Sequence, residues 1–419
     1  MNFARKMFTA AFLCAGVLIG GSAAAQAQPR WTRPQATQEM DTRDRGASDQ
    51  AVRLQEALER YREIERRGGW NSIPAGPAMG PPYAYECSRI SALEQRLITE
   101  GYLDEESTPP WLERTTTAPG PQPGLQPARN QPPQEDRCEY TPALAAAVRA
   151  FQADRKVLGD GQAGKLTLVQ LNRPVHEIVN ILEHDVERWR NVSLDPSGTY
   201  VLVNIPFFEL TLYERGREVM QMPVIVGQPT WQTPLFSATI QYIILNPEWG
   251  IPDTIAKKET WPTARRDPDY FRREGIVATG GALRQKPGPR NPLGRIKFMI
   301  PNPYDVYLHD TPYKGAFSAA VRALSHGCIR LGRPMDLANY LLRDDARWNP
   351  SHLQAAIASG ATQQVDVRQH IPVHILYSTS RVNDEGRVEL RPDVYGKNNV
   401  PIREDEVLPP RDEHIEAWP

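Results

Sequence analysis

At Thr199 the hydrophobic period of this 419-residue chain changes, and that change limits its fold more than any other feature. Before it, apolar residues recur at helical spacing; after it, they alternate. Helical spacing buries one stripe of a helix, whereas alternation buries one face of a strand, so the two halves cannot share one architecture. The expected fold is α+β and multidomain: a mostly-β domain, preceded by a small helical one.

In the second half, residues 200–205, 209–214, 218–226 and 236–245 read as strands, with Gly216 at a hairpin turn. Residues 295–300, 306–309, 373–378 and 387–390 add further strands, and residues 334–342 form a helix with Leu337, Tyr340 and Leu341 inward. Between Trp249 and Gly294 the alternation stops at Pro252, Pro262, Pro268, Pro287, Pro289 and Pro292. Residues 250–292 are expected to be a long connection without regular structure, either a lid or a surface excursion.

Within this β half lies Ser325-His326-Gly327-Cys328-Ile329-Arg330. It sets a cysteine beside two side chains able to carry positive charge, which favours the reactive thiolate. Gly327 gives the backbone positive φ and room for a substrate. Upstream, the alternating run 306–311 contains a second histidine, His309. A cysteine nucleophile needs a base and a group that orients it, and Cys328, His309 and a local acceptor supply these. Two blander readings stand beside this one: a cysteine as a small core hydrophobe, and a His–Cys metal site.

The helical half is less regular. Residues 28–85 are expected to be a linker carrying one exposed helix at 54–67, with Leu54, Leu58 and Tyr61 on a stripe. Residues 86–173 read as a helical module. Ile90, Leu93, Leu97 and Ile98 mark its first helix, and Gly101 ends it. Thr141 and Pro142 start the second, whose inner face is assigned to Ala143, Ala147, Ala150 and Phe151. A turn at 160–164 leads to a third. A proline-rich insert separates the first two helices, and Cys87 and Cys138 bracket it. Residues 174–198 form a bridging helix with Ile178, Ile181, Leu182, Val186 and Trp189 on its stripe.

Residues 1–27 have the form of a secretory signal: Arg5 and Lys6, an apolar run from Met7 to Gly21, then small-x-small sites around Ala23–Ala27. Export to the periplasm as a soluble protein is expected, since the apolar run falls short of the ~20 residues of a span. In an oxidising compartment Cys87 and Cys138 would pair, leaving Cys328 free. With 49 basic against 50 acidic residues there is no basic field for nucleic acid. No cofactor or metal is required, and oligomeric state is not readable.

The motifs also carry a resemblance. V-Y-L-H-D-T-P at 306–312 with S-H-G-C-I-R at 325–330 resembles the YkuD-type L,D-transpeptidases. V-N-I-P at 203–206, V-I-V-G-Q-P at 224–229, L-N-P-E-W-G-I-P at 245–252, P-G-P-R-N-P-L-G at 287–294 and V-E-L-R-P-D-V-Y-G at 388–396 resemble the YcbB-like subgroup. L-x-x-R-L-x-x-x-G-Y-L, V-R-A-F-Q and D-G-x-x-G-x-x-T-L-x-x-L-N resemble a type 1 peptidoglycan-binding domain.

The resemblance implies a catalytic domain at 199–397 with a tail at 398–419. It implies an enzyme that attacks the bond between meso-diaminopimelate and terminal D-alanine in peptidoglycan stems. Cys328 would be the nucleophile and His309 the proton acceptor and donor, oriented by the backbone carbonyl of Asp310. The N–H groups of Gly327 and Cys328 would meet the oxyanion. Arg330 would fork onto a stem carboxylate, with Ser325 and His326 shaping the pocket. The expected product is a 3–3 cross-link. Hydrolysis to a tripeptide, transfer to an outer-membrane protein, or a non-catalytic wall-binding role are the alternatives.

Overall fold

The computed structural model describes residues 47–104 and 137–398. The expected signal peptide, residues 28–46 of the expected linker, and nearly all of the proline-rich insert and of the tail lie outside the described residues. Helix α1 (Ala47–Arg66) leads to β1 (Ala84–Glu86), α2 (Cys87–Thr99), β2 (Arg137–Glu139), α3 (Pro142–Asp154), α4 (Lys165–Leu171) and α5 (Val175–Arg190). From β3 (Thr199–Asn204) the chain is mostly strand, so the α+β expectation holds.

α2, α3 and α4 share a core of Ile90, Leu93, Leu97, Leu144, Val148, Phe151 and Leu171. The Thr141 hydroxyl caps α3 by accepting from the Leu144 N–H. At the end of α2, the N–H groups of Gly101 and Tyr102 donate to the carbonyls of Ile98 and Leu97, with Gly101 at φ +77°. The inner face of α3 differs from the expected one. Leu144, Ala145, Ala147, Val148 and Phe151 are buried while Ala143 is exposed, because larger apolar side chains claimed the core over alanine. Cys87 and Cys138 are joined by a disulfide, at the point where β1 pairs β2.

α1 is not the exposed linker helix that was expected. Leu54, Ala57, Leu58 and Tyr61 are buried against Ile178, Leu182 and Val186 of α5. Its charged residues lie on the other side, and charge count alone conceals a packed stripe.

The large sheet contains β4 (Glu209–Glu214), β5 (Arg217–Gly227), β6 (Ser237–Leu245), β10 (Ile296–Met299), β11 (Leu308–His309), β12 (Ala323–Ser325), β13 (Ile329–Leu331) and β14 (Gln363–Leu376). Its order is β12-β5-β13-β11-β10-β6-β14-β3-β4, and β4 also pairs β5. Eight strands therefore close on themselves, with β12 attached to β5. The face turned to the core carries Val224, Leu331, Leu308, Phe298, Ile243 and Val365, packed with Leu337 and Leu341 of α9 (Pro334–Leu342) and Leu353 of α10 (Pro350–Ala358). A short hairpin, β15 (Ser380–Val382) with β16 (Val388–Leu390), packs against α1 and α5.

Residues 249–285 are not an irregular connection. β7 (Trp249–Ile251), β8 (Ile276–Thr279) and β9 (Ala282–Gln285) form a small sheet of their own. Between them α6 (Asp253–Ile255) runs through a π-helical turn (Ala256–Thr260) into α7 (Trp261–Arg266), followed by α8 (Tyr270–Glu274). Trp249, Ile251, Ile255, Ile276, Leu283 and Leu293 make a separate small core, against which Tyr307 packs. Pro252 and Pro262 break alternation but sit at helix starts, where a missing N–H is harmless, while Pro287, Pro289 and Pro292 lie in the turns after β9.

Candidate active site

Strand pairing builds the site. Lys297 pairs with His309, His309 with Arg330, Arg330 with Ile225, and Lys297 with Ile244. Paired residues point to the same face of a sheet. Lys297, His309 and Arg330 thus form a row on the face opposite the core. Two residues back on the same face come Tyr307 and Cys328. The Ile329 N–H donates to the Tyr307 carbonyl at 3.1 Å, which fixes Cys328 alongside Tyr307. Neither the lysine nor the tyrosine was among the sequence-based candidates. Their only signal was the alternation of 297 and 307 with buried neighbours.

His309 is buried, with 4% exposure. Its Nδ1 lies 2.5 Å from the Asp310 carbonyl oxygen. A carbonyl can only accept, so Nδ1 carries the proton and Nε2 is left as the acceptor. Burial, then the charge of Arg330, push the His309 pKa down to about 3. The ring is therefore a neutral base at physiological pH. Asp310 is pinned in turn: its carboxylate accepts from the Arg295 N–H at 2.8 Å and from Lys314 Nζ at 2.6 Å. A Cβ on Gly294 would lie 2.4 Å from that carboxylate, and Gly294 also has φ +61°, so only glycine fits there.

Cys328 is the free cysteine among the described residues, and it is half-buried. Its Sγ is 3.9 Å from the Asp305 carbonyl oxygen. Burial pushes the Cys328 thiol up, against the opposing pull of Tyr307, Lys297 and Arg330. Adjacent cations favour the anion, as expected from the sequence, but desolvation outweighs them.

The loop around the thiol is self-contained. Gly327 has φ +112° and its N–H donates to Ser325 Oγ at 3.1 Å, while that hydroxyl donates to the Cys328 carbonyl at 2.6 Å. The Gly327 N–H is thus engaged inside the loop rather than presented to an oxyanion. Ser325, at 2% exposure, holds the turn and does not face the pocket. The loop is also braced from behind. Thr233 Oγ1 donates to the Gly327 carbonyl and accepts from the Gly227 N–H, and the Tyr395 hydroxyl donates to the Gly227 carbonyl.

His326 points elsewhere. Its Nε2 is 3.0 Å from Glu259 Oε1 on the π-helical turn, and its ring meets Trp231 edge-on with centroids 5.2 Å apart. Lys258 Nζ lies 5.1 Å from the Trp231 centroid. The 249–285 unit therefore reaches the nucleophile loop through Glu259 and Lys258. Arg330 is buried at 7% exposure, and burial pulls its pKa below the usual arginine range, with Tyr313, Cys328 and Tyr307 opposing. Among the described residues no group of three or more His, Cys, Asp or Glu could hold a metal ion, and no helix is long and apolar enough to cross a membrane.

Residues 198–367 match the sequence model of the YkuD family, described as an L,D-transpeptidase catalytic domain. A Haemophilus influenzae protein named "Putative L,D-transpeptidase" is 30% identical over 217 residues, covering 47% of this chain and 44% of the relative. The chain thus spans less than half the length of that relative. Among solved structures, L,D-transpeptidase 3 of Mycobacterium tuberculosis is 19% identical with a TM-score of 0.23, covering 42% of this chain and 60% of that one. An L,D-transpeptidase from Stackebrandtia nassauensis is 14% identical with a TM-score of 0.22, covering 57% and 79%. Residues 198–367, which include His309 and Cys328, are thus similar to the YkuD-type L,D-transpeptidase catalytic domain.

Proposed function

We propose that this protein is a periplasmic L,D-transpeptidase that forms 3–3 cross-links in peptidoglycan through a Cys328 thioester. One observation carries the reading: a neutral His309, locked in the Nδ1–H form by the Asp310 carbonyl, shares a sheet face with the thiol. A half-buried thiol with a raised pKa attacks only if its proton leaves as the sulfur bonds, and the unprotonated Nε2 on the same face takes it.

In the first half-reaction the Sγ proton moves to His309 Nε2 as sulfur bonds the diaminopimelate carbonyl carbon. The tetrahedral intermediate collapses with cleavage of the C–N bond, and His309 returns the proton to the departing D-alanine amine. In the second half-reaction the side-chain amine of another stem attacks the thioester. His309 takes a proton from that amine and passes it to the leaving sulfur. We assign the Cys328 N–H to the developing oxyanion, and Arg330 supplies charge for a stem carboxylate. We further place the chain with the YcbB-like subgroup and assign glycan holding to residues 86–173, on their motifs and the three-helix arrangement.

The test incubates purified protein with disaccharide-tetrapeptide and follows products by mass spectrometry. D-alanine with a cross-linked dimer is expected, and both should vanish in Cys328→Ser. Tripeptide without dimer at high donor concentration would indicate a carboxypeptidase. No turnover and no carbapenem adduct on Cys328 would overturn the enzymatic reading.

A further inference from the structure

We propose that Lys297 is the electrostatic partner of the Cys328 sulfur, a fixed cation that stabilises the thiolate as it forms and keeps the protonated His309 a strong acid. The role within turnover rests on the transpeptidase reading above, but the charge coupling itself does not.

Lys297 lies in β10, between β11 and β6, with His309 and Ile244 as its paired neighbours. Lysines are rarely held in the middle of a sheet unless something fixes the charge. Here no carboxylate does so: among the described residues Lys297 makes no ion pair. Its Nζ instead sits 3.6 Å from the centroid of the Tyr307 ring, within cation–π reach. Tyr307 in turn meets His309 edge-on, with centroids 5.6 Å apart, and packs against the small core of the 249–285 unit. The ammonium is thereby placed on the face that carries the thiol, against the Tyr307 ring.

The charged and titratable groups facing this place are few. Burial pulls the Lys297 pKa below the usual lysine range, and Cys328 and Asp305 oppose that pull. The Tyr307 hydroxyl is pushed well above the usual tyrosine range by burial and then by Cys328, so it stays neutral. His309 and Arg330 complete the row.

This placement has two chemical consequences. When the thiol proton moves to His309 Nε2, negative charge develops on sulfur beside a cation already in place, with no solvent reorganisation. The new imidazolium then finds itself between Lys297 and Arg330. Like charge on both sides makes it release its proton readily, and the D-alanine amine is the group that needs one. The same lysine thus favours both ends of the proton's path, and it neither gains nor loses a proton itself.

The experiment measures iodoacetamide alkylation of Cys328 across pH in the wild type, Lys297→Met and Lys297→Arg, with folding checked by thermal melting. Lys297→Met should move the alkylation midpoint upward and slow the reaction severalfold at neutral pH, while Lys297→Arg keeps the wild-type profile. The His309 ring, followed by NMR, should titrate at higher pH in Lys297→Met. If Lys297→Met does not fold, Lys297→Gln replaces it. Superimposable alkylation profiles in the charged and neutral variants would overturn the proposal. Alkylation needs no peptidoglycan, so failure of the cross-linking assay and failure of this coupling are separate results.

Discussion

At the scale of single residues, the site depends on two groups whose protonation is set by burial. The Cys328 pKa is raised, so thiolate is scarce at neutral pH and accumulates as pH rises. Alkylation by a neutral reagent should therefore keep increasing past neutrality. A plateau reached below pH 7 would mean a resting thiolate–imidazolium pair instead. His309 is depressed to about 3 from an ordinary 6.5. Between those values the unfolded chain binds the proton and the folded chain does not, so stability falls as pH drops through this window. Melting temperatures from pH 7 to pH 3 should decline less steeply in His309→Gln than in the wild type. The same variant should lose acyl transfer nearly as completely as Cys328→Ser, since the pair acts as a unit. His326→Gln should retain more activity, because its partner is Glu259. If it proves the more damaging change, the base is misassigned. Cysteine and histidine were legible because nucleophilic chemistry requires them. Lys297, Tyr307, Trp231 and Glu259 were not, because a lysine or aromatic within a strand acquires meaning only once its neighbours are known.

At the scale of elements, the nucleophile turn is held by a segment far along the chain. The Tyr395 hydroxyl accepts from the Thr233 N–H at 3.2 Å and donates to the Gly227 carbonyl at 2.5 Å, and Thr233 holds the Gly327 carbonyl. Tyr395→Phe should cost about 1–3 kcal/mol by leaving buried backbone groups unpaired. It should also slow carbapenem acylation of Cys328, read by intact mass, while the fold survives. An unchanged acylation rate would show that the turn holds itself. Helix α1 supplies a second test. Leu58 is 3% exposed against α5, so Leu58→Ala should destabilise by about 2–5 kcal/mol in chemical denaturation. A loss within error would restore the exposed-linker view. Amphipathic periodicity located α1 and α5 but did not say that they pack together. That pairing is a long-range match between two stripes.

At the scale of the whole molecule, buried charge ties the helical module to the sheet. Glu100 lies between Arg96 at 2.6 Å and Arg155 at 2.8 Å, and accepts from the Tyr61 hydroxyl of α1 at 2.5 Å. Arg155 also donates to the Val388 carbonyl in β16. Three helical segments thus meet at one carboxylate, and Arg155 links them to β16. Glu100→Ala should cost about 3–5 kcal/mol, because it strands two buried guanidinium groups. Denaturation followed by both near-ultraviolet circular dichroism and thiol exposure would read this, and a neutral effect would show the module to be loosely attached. The Cys87–Cys138 pair closes a 51-residue separation. Under the chain-entropy account this contributes about 4 kcal/mol. Thiol counting on the denatured, unreduced protein should find Cys328 free and that pair closed.

The sequence by itself determined the helical-to-strand switch at Thr199, most strands of the large sheet, the caps of α2 and α3, and Cys328 and His309 as the candidate residues for nucleophilic chemistry. All of these rest on local spacing or on chemistry that few residue types perform. Only the tertiary structure decided which way the balance fell where opposing effects met. Cations beside a thiol favour the thiolate, but desolvation outweighs them and pushes the thiol's pKa up. A backbone N–H near the thiol suits an oxyanion, but Ser325 already holds that of Gly327. Prolines suggested an irregular lid, but a small apolar core organised it. In each case the sign depends on desolvation and on partners distant in the chain, and neither quantity is a property of a local stretch of residues.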